Sequence, residues 1–170
     1  MYSRFLAIGV LLVSMAAPAL AAPSPSPSPS PSDVAKIEAP ALYWIDAYNA
    51  HRTPLPQGVF TDDVAITDQF APYHWVGTSG LRDWSSHIDN SLQKDAAAKY
   101  HVVVGSLTGL IVARDGNEAT FYLPATLTYL VDGKLTEDRA LWQFVVVRSG
   151  DKWKIAGDVW VRTYHGPAHS

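Results

Sequence analysis

The spacing of apolar residues changes along the chain, and each change marks a new element. From Asp33 to Asn49 the pattern is helical, with Ala41, Trp44, Ile45 and Tyr48 at the i, i+3, i+4, i+7 spacing of one stripe. Pro40 interrupts it, so the helix either starts there, where proline is tolerated, or bends there. His51 to Gly58, with Pro54 and Pro56, is a connection with room for one short helical turn. Val64 to Phe70 then alternates as a strand, placing Val64, Ile66, Asp68 and Phe70 on one face. Ala71-Pro72 makes a turn, and Tyr73 to Val76 forms a short second strand. Thr78-Ser79-Gly80 supplies capping hydroxyls for a second helix with Leu81, Trp84, Ile88 and Leu92 along one face. That pattern assigns Trp84 to packing.

After Tyr100 the period is two and stays two. Four long strands are predicted, roughly over 101–113, 118–131, 135–148 and 153–163. Asp132-Gly133 between two of them is a strong hairpin signal, because the two-residue turn needs positive φ. Ala119, Phe121, Leu123, Ala125, Leu127 and Tyr129 make one continuous apolar face, which other elements must cover. The predicted class is therefore α+β: a curved, mainly antiparallel sheet of about six strands wrapped around an N-terminal helix and a long second helix. A closed all-strand barrel would leave both helices without a face to cover.

The N-terminal segments read differently. Residues 1–22 hold one charge, Arg4, then an apolar run from Phe5 to Leu20 and the small-x-small pattern Ala19-Leu20-Ala21. This is the form of an export signal cleaved after Ala21 or Ala22. A membrane anchor is the alternative, but about 16 apolar residues fall short of the roughly 20 that span a bilayer. Residues 23–32, "PSPSPSPSPS", are a low-complexity linker of extended polyproline character, either a spacer or a ligand for a proline-binding partner. The domain occupies 33–164, and 165–170 is a short tail. The expected location is secreted or periplasmic, with no membrane span after signal cleavage. The chain has no cysteine, so the domain must rely on its own core.

Charge narrows the partners. With 13 Lys+Arg against 16 Asp+Glu, a net of -3 and no basic cluster, the chain lacks what a phosphate backbone needs, so nucleic acid is not an expected partner. Histidines at 51, 74, 87, 101, 165 and 169 form neither HxH nor HExxH, so neither a metal nor a cofactor is expected. A Gly-x-Ser-x-Gly elbow and a phosphate-cradling glycine loop are also missing.

Three stretches, taken with the element order, carry a resemblance. They are "AYNAHR" (Ala47 to Arg52), "DQFAPYHWVGTSGLRDW" (Asp68 to Trp84) and "DKWKIAGDVW" (Asp151 to Trp160). Over about residues 35 to 163 the chain resembles the SnoaL-like or nuclear-transport-factor-2-like superfamily, which also holds steroid delta-isomerase and scytalone dehydratase. The resemblance implies a cone-shaped pocket between concave sheet and helices. It further implies that an acid or a histidine inside can transfer protons, although many relatives only bind or dimerise. The second buried acid of the isomerase pattern is not matched here.

Asp68 is the first candidate, since its phase turns it inward among Val64, Ile66 and Phe70. Burial raises a carboxyl pKa, which suits a general acid or base. The alternative is an anchor bonded to backbone amides of the following turn. His74 is a tentative catalytic partner, and Tyr73 and Trp75 would form an aromatic mouth; the alternative is packing on the hairpin. Trp142 shares a face with Phe144. Asp158 shares one with Ala156 and Trp160 and is a second acid that alternation can turn inward, unless a bulge at Ala156-Gly157 changes the phase. Tyr43, Tyr48 and Tyr129 are pocket candidates that could donate to a ligand oxygen, or core aromatics. Three readings remain: a binder of a small apolar molecule in an aromatic-lined pocket; a cofactor-free isomerase, dehydratase or cyclase using Asp68; and a module forming a homodimer through the sheet face.

Overall fold

A computed structural model describes residues 29–52, 56–94 and 100–168, with residues 91–94 described by their backbone. The export signal and most of the linker expected from sequence lie outside the described residues. Helix α1 spans Pro31–Asn49 and is capped by Ser30, whose hydroxyl accepts from the Asp33 N–H at 3.3 Å. Pro31 sits in the first turn, where a missing N–H leaves no bond unmade. Pro40 lies inside the continuous helix and is buried, so the helix does not start there.

One 3-10 turn, Gln57–Val59, leads into β1 (Phe60–Thr67) and β2 (His74–Val76). Helix α2 (Gly77–Lys94) follows, then β3 (His101–Val104), β4 (Thr108–Val112), β5 (Glu118–Val131), β6 (Lys134–Ser149) and β7 (Lys152–Pro167). The strands form one unclosed, curved sheet in the order β2-β1-β7-β6-β5-β3, with β4 also paired to β5. Every pairing is antiparallel except β1 with β7. This is the α+β class expected from the periodicity. Asp132 and Gly133, at φ 50 and 75, make the β5–β6 turn in the left-handed conformation that the Asp-Gly signal requires.

Two local expectations are corrected. The first long strand is divided into β3 and β4, because opposite the break stands Pro124, which has no N–H to give an edge partner. Only its carbonyl is used, accepting from Gly105 N–H at 2.8 Å. In the first hairpin β1 ends at Thr67, so Asp68 and Phe70 lie in the turn and alternation does not set their direction. The turn closes on itself instead, with Asp68 N–H donating to Tyr73 O and Tyr73 N–H to Phe70 O.

The core fills the space between the concave face of the sheet and the helices. Phe121 and Leu123 of β5, Trp142 and Phe144 of β6 and Ile155 of β7 are buried against Trp44 and Ile45 of α1 and Trp84 of α2. Phe121 and Phe144 are cross-strand partners with stacked rings 5.6 Å apart. The end of α1 is tied to the sheet by one side chain: Asn49 donates to Val102 O and accepts from Val102 N–H, both at 2.8 Å. Asn49→Ala would strip both backbone groups of their partner, so a loss of about 2–3 kcal/mol is expected in urea denaturation. Asn49→Asp would not restore it, because a carboxylate cannot donate to the Val102 carbonyl. No described helix is long and apolar enough to cross a membrane.

Candidate active site

A cavity of about 290 Å³ opens between the concave sheet and the helices, and it holds two carboxyl groups, Asp68 and Asp158. Asp158 reaches it through a backbone irregularity. Ile155 pairs with Val146 and Gly157 with Val145, so Ala156 has no partner opposite and the strand is bulged there. The extra residue resets the alternation, and Ile155 and Asp158, three apart, both face inward and are buried. Gly157 is what allows it: a Cβ there would stand 3.1 Å from the Val145 Cβ. The sequence left open whether such a bulge would turn Asp158 away. It is present, and it is what brings Asp158 inside.

Asp158 is 2% exposed. Its Oδ1 accepts from Trp142 Nε1 at 2.7 Å, while Oδ2 has no hydrogen-bond partner among the described residues. Burial pushes the carboxyl up to about 8, against the Trp142 hydrogen bond, and the neighbouring charge of Asp68 raises it further. At neutral pH the group therefore carries its proton. Trp142→Phe would remove the donor that favours the anion, so the titration midpoint of Asp158 should move higher still, as read from the carboxyl carbon shift in NMR.

Asp68 sits in the β1–β2 turn with both oxygens engaged. Oδ1 accepts from Gln69 N–H at 2.7 Å and Oδ2 from Trp84 Nε1 at 3.0 Å. Burial raises its pKa; the Trp84 and Gln69 bonds, and then His87, pull it part of the way back. Two carboxyls thus share one apolar space, both raised by burial, Asp158 with one hydrogen-bond donor and Asp68 with two.

The walls are aromatic. Trp44 stacks on Trp84 at 5.3 Å and meets Trp142 edge-on at 5.3 Å, and Trp142 meets Trp160 the same way at 5.0 Å. Trp44 and Trp160 each keep a buried Nε1 with no hydrogen-bond partner among the described residues. Tyr48 also lines the space; burial first, then Tyr100 and Asp68, push its hydroxyl up and keep it a donor. Among the described residues no group of His, Cys, Asp or Glu is arranged to hold a metal.

Of the residues expected at the site, Asp68, Tyr48, Trp142, Asp158 and Trp160 line the cavity. The others do not. His74 is exposed on β2 and meets the Thr67 hydroxyl at 3.2 Å. Tyr43 and Tyr73 are exposed, and Trp75 is buried beneath Phe70. Tyr129 turns its hydroxyl to Asp138 and His165 instead, at 3.4 Å each. In the first hairpin, with β1 ending at Thr67, the turn carries Asp68, Gln69 and Phe70 to the cavity, while β2 buries only Trp75 and leaves His74 outside.

The histidine at the cavity is His87, stacked on Phe70 at 4.2 Å. Its signal was present in the sequence, since Trp84, His87 and Ile88 fall at i, i+3, i+4 on α2. Trp84 was assigned to packing and proves to be a donor to Asp68 as well.

No protein-family model matches the chain, and no curated protein matches it. Solved structures do share its architecture. A hexachlorocyclohexane dehydrochlorinase aligns over 82% of this chain and 90% of its own at 14% identity and a TM-score of 0.65. A nuclear-transport-factor-2-like protein with a cystatin-like fold from Novosphingobium aromaticivorans aligns over 78% and 82%, at 14% identity and 0.63. A ketosteroid isomerase-like protein from Erwinia carotovora atroseptica aligns over 79% and 99%, at 16% identity and 0.57. At these identities the likeness is one of fold: the chain has the nuclear-transport-factor-2-like, cystatin-like fold to which its sequence pointed.

Proposed function

We propose that the cavity binds a small, mostly apolar molecule bearing a carbonyl or hydroxyl oxygen, and that Asp68 and Asp158 move a proton on it. The observation that carries this reading is the pair of buried acids in one aromatic-lined space, Asp158 with a single donor on Oδ1 and Asp68 with a donor on each oxygen. Asp158, neutral at pH 7, donates from its unpartnered Oδ2 to the ligand oxygen. Asp68, supported as an anion by Trp84 and Gln69, takes a proton from the adjacent carbon. Return of that proton to another carbon is an isomerisation; departure of a neighbouring hydroxyl as water is a dehydration. That one structural neighbour is isomerase-like and another a dehydrochlorinase supports proton chemistry in such a space.

The test is exchange of the α-protons of 2-tetralone in D₂O, followed by proton NMR. Saturable exchange faster than buffer is expected. Tetralone that binds without accelerated exchange would reduce the function to binding alone.

Export belongs to the same reading, supported by the pattern of residues 1–22. The mature protein recovered outside the cytoplasm should begin at Ala22 or Pro23 by intact mass. A second reading concerns the outer sheet face, where the cross-strand neighbours Leu141 and Val161 are 38% and 47% exposed. An apolar pair there would suit a homodimer, and sedimentation of the wild type beside Leu141→Lys would detect it.

A further inference from the structure

The inner face does not end at the cavity wall. Leu127, which lines the cavity, stands opposite Asp138, and Asp138 stands opposite His165. A second irregularity, between Arg139 and Ala140, leaves Thr163 with no residue opposite it in the β6 register, so Arg162 and His165 share the concave face although they are three residues apart. The same device that turns Asp158 inward thus gathers two basic side chains at the rim.

Asp138 organises them. It is fully buried, and its Oδ1 meets His165 Nδ1 at 2.6 Å. Its Oδ2 receives Gln69 Nε2 at 3.3 Å, Tyr129 OH at 3.4 Å and Arg162 Nη1 at 3.7 Å. With both oxygens occupied, Asp138 offers nothing outward. What faces solvent is Arg162, with a side chain 41% exposed, and His165, with one 53% exposed. Arg162 uses only Nη1 on Asp138, which leaves the rest of its guanidinium fork for a planar anion. Gln69 connects the two regions, since it lines the cavity, bonds Asp138 through its side chain and bonds Asp68 through its backbone.

We propose that this rim recognises a carboxylate, so that the ligand is an amphipathic acid with its apolar body among the tryptophans and its carboxylate on Arg162 and His165. The proposal rests on the reading of the cavity as a site for a small apolar molecule and names the chemical class. Charge selects a monoanion. Asp138 offsets most of the charge of Arg162, and Asp68 lies nearby, so a dianion such as a phosphate monoester would meet too little positive charge.

The test is calorimetric titration at pH 7 with naphthalene-2-carboxylate and its uncharged isostere naphthalene-2-carboxamide. The wild type should bind the acid about ten-fold or more tighter than the amide. Arg162→Gln should bring the acid down to the amide and leave the amide unchanged, while Arg162→Lys keeps part of the preference. His165→Gln provides a second variant at an exposed position and should weaken the acid alone. Equal binding of acid and amide by the wild type, or equal weakening of both by Arg162→Gln, would overturn the rim proposal and leave the cavity reading standing. Failure of both probes to bind would overturn both.

Discussion

Asp158→Asn will remove the larger part of the stability that the wild type loses as pH rises from 4 to 9, leaving the smaller contribution of Asp68. In the unfolded chain Asp158 titrates near the ordinary carboxyl value of 3.8, and in the folded protein burial moves it to about 8. Between those values the folded state holds a proton that the unfolded state has released. Stability is then fully present below the unfolded pKa, falls as pH rises, and levels off above the folded pKa. A span of about four pH units at about 1.4 kcal/mol each places the loss on the order of 5 kcal/mol. Asp68, also raised by burial, adds in the same direction.

Asparagine keeps an oxygen for Trp142 Nε1 and a donor on the other branch, and it cannot ionise. The variant should match the wild type near pH 4 and exceed it by several kcal/mol at pH 9. Urea denaturation at a series of pH values reads this directly. A wild-type midpoint that does not move between pH 5 and pH 9 would show that Asp158 is not held neutral, and the assignment of acid and base would go with it.

Asp68→Asn should lower proton exchange on 2-tetralone by about 10²- to 10⁴-fold, the usual contribution of a positioned general base. Binding of the ketone should change little, because the amide fills the same space and its oxygen can still accept from Trp84 or Gln69. The loss thus belongs in kcat and not in KM. Equal exchange rates in variant and wild type would move the base elsewhere, with His87 the next group at the cavity. The companion change Trp84→Phe removes one of the two donors to the Asp68 anion. Its exchange profile should shift to higher pH without losing the maximal rate, which separates a positioning residue from the base itself.

The parts of this molecule legible in one dimension were those set by local periodicity. The stripe Ala41, Trp44, Ile45, Tyr48 and the alternation from Ala119 to Leu127 report which face of an element leaves water, and the Asp-Gly turn reports its own geometry. These are short-range consequences of side-chain direction and backbone sterics, and the α+β class follows from them. The site was legible where it lay on such elements, as with Tyr48 on α1 and Trp142 on β6. It was misread at the first hairpin, where a turn intervened, and at Tyr43 and Tyr129, which lie on α1 and β5 yet do not line the cavity. Asp68 reaches the cavity from a turn and not through strand phase, and His74, the first residue of β2 after that turn, is exposed.

The sequence alone determined the two helices, the antiparallel strands that follow them and the covered apolar faces, because these depend on residues close along the chain. Only the tertiary structure decided that Asp158 and Asp68 share a cavity, that His87 replaces His74 beside it, and that Arg162 and His165 meet at its rim. The placement of Asp158 and the meeting of Arg162 with His165 depend on single residues without a register partner, Ala156 and Thr163, where β7 slips against β6. A slip of one residue reverses every later side chain on a strand, and only the paired strand shows where it occurs.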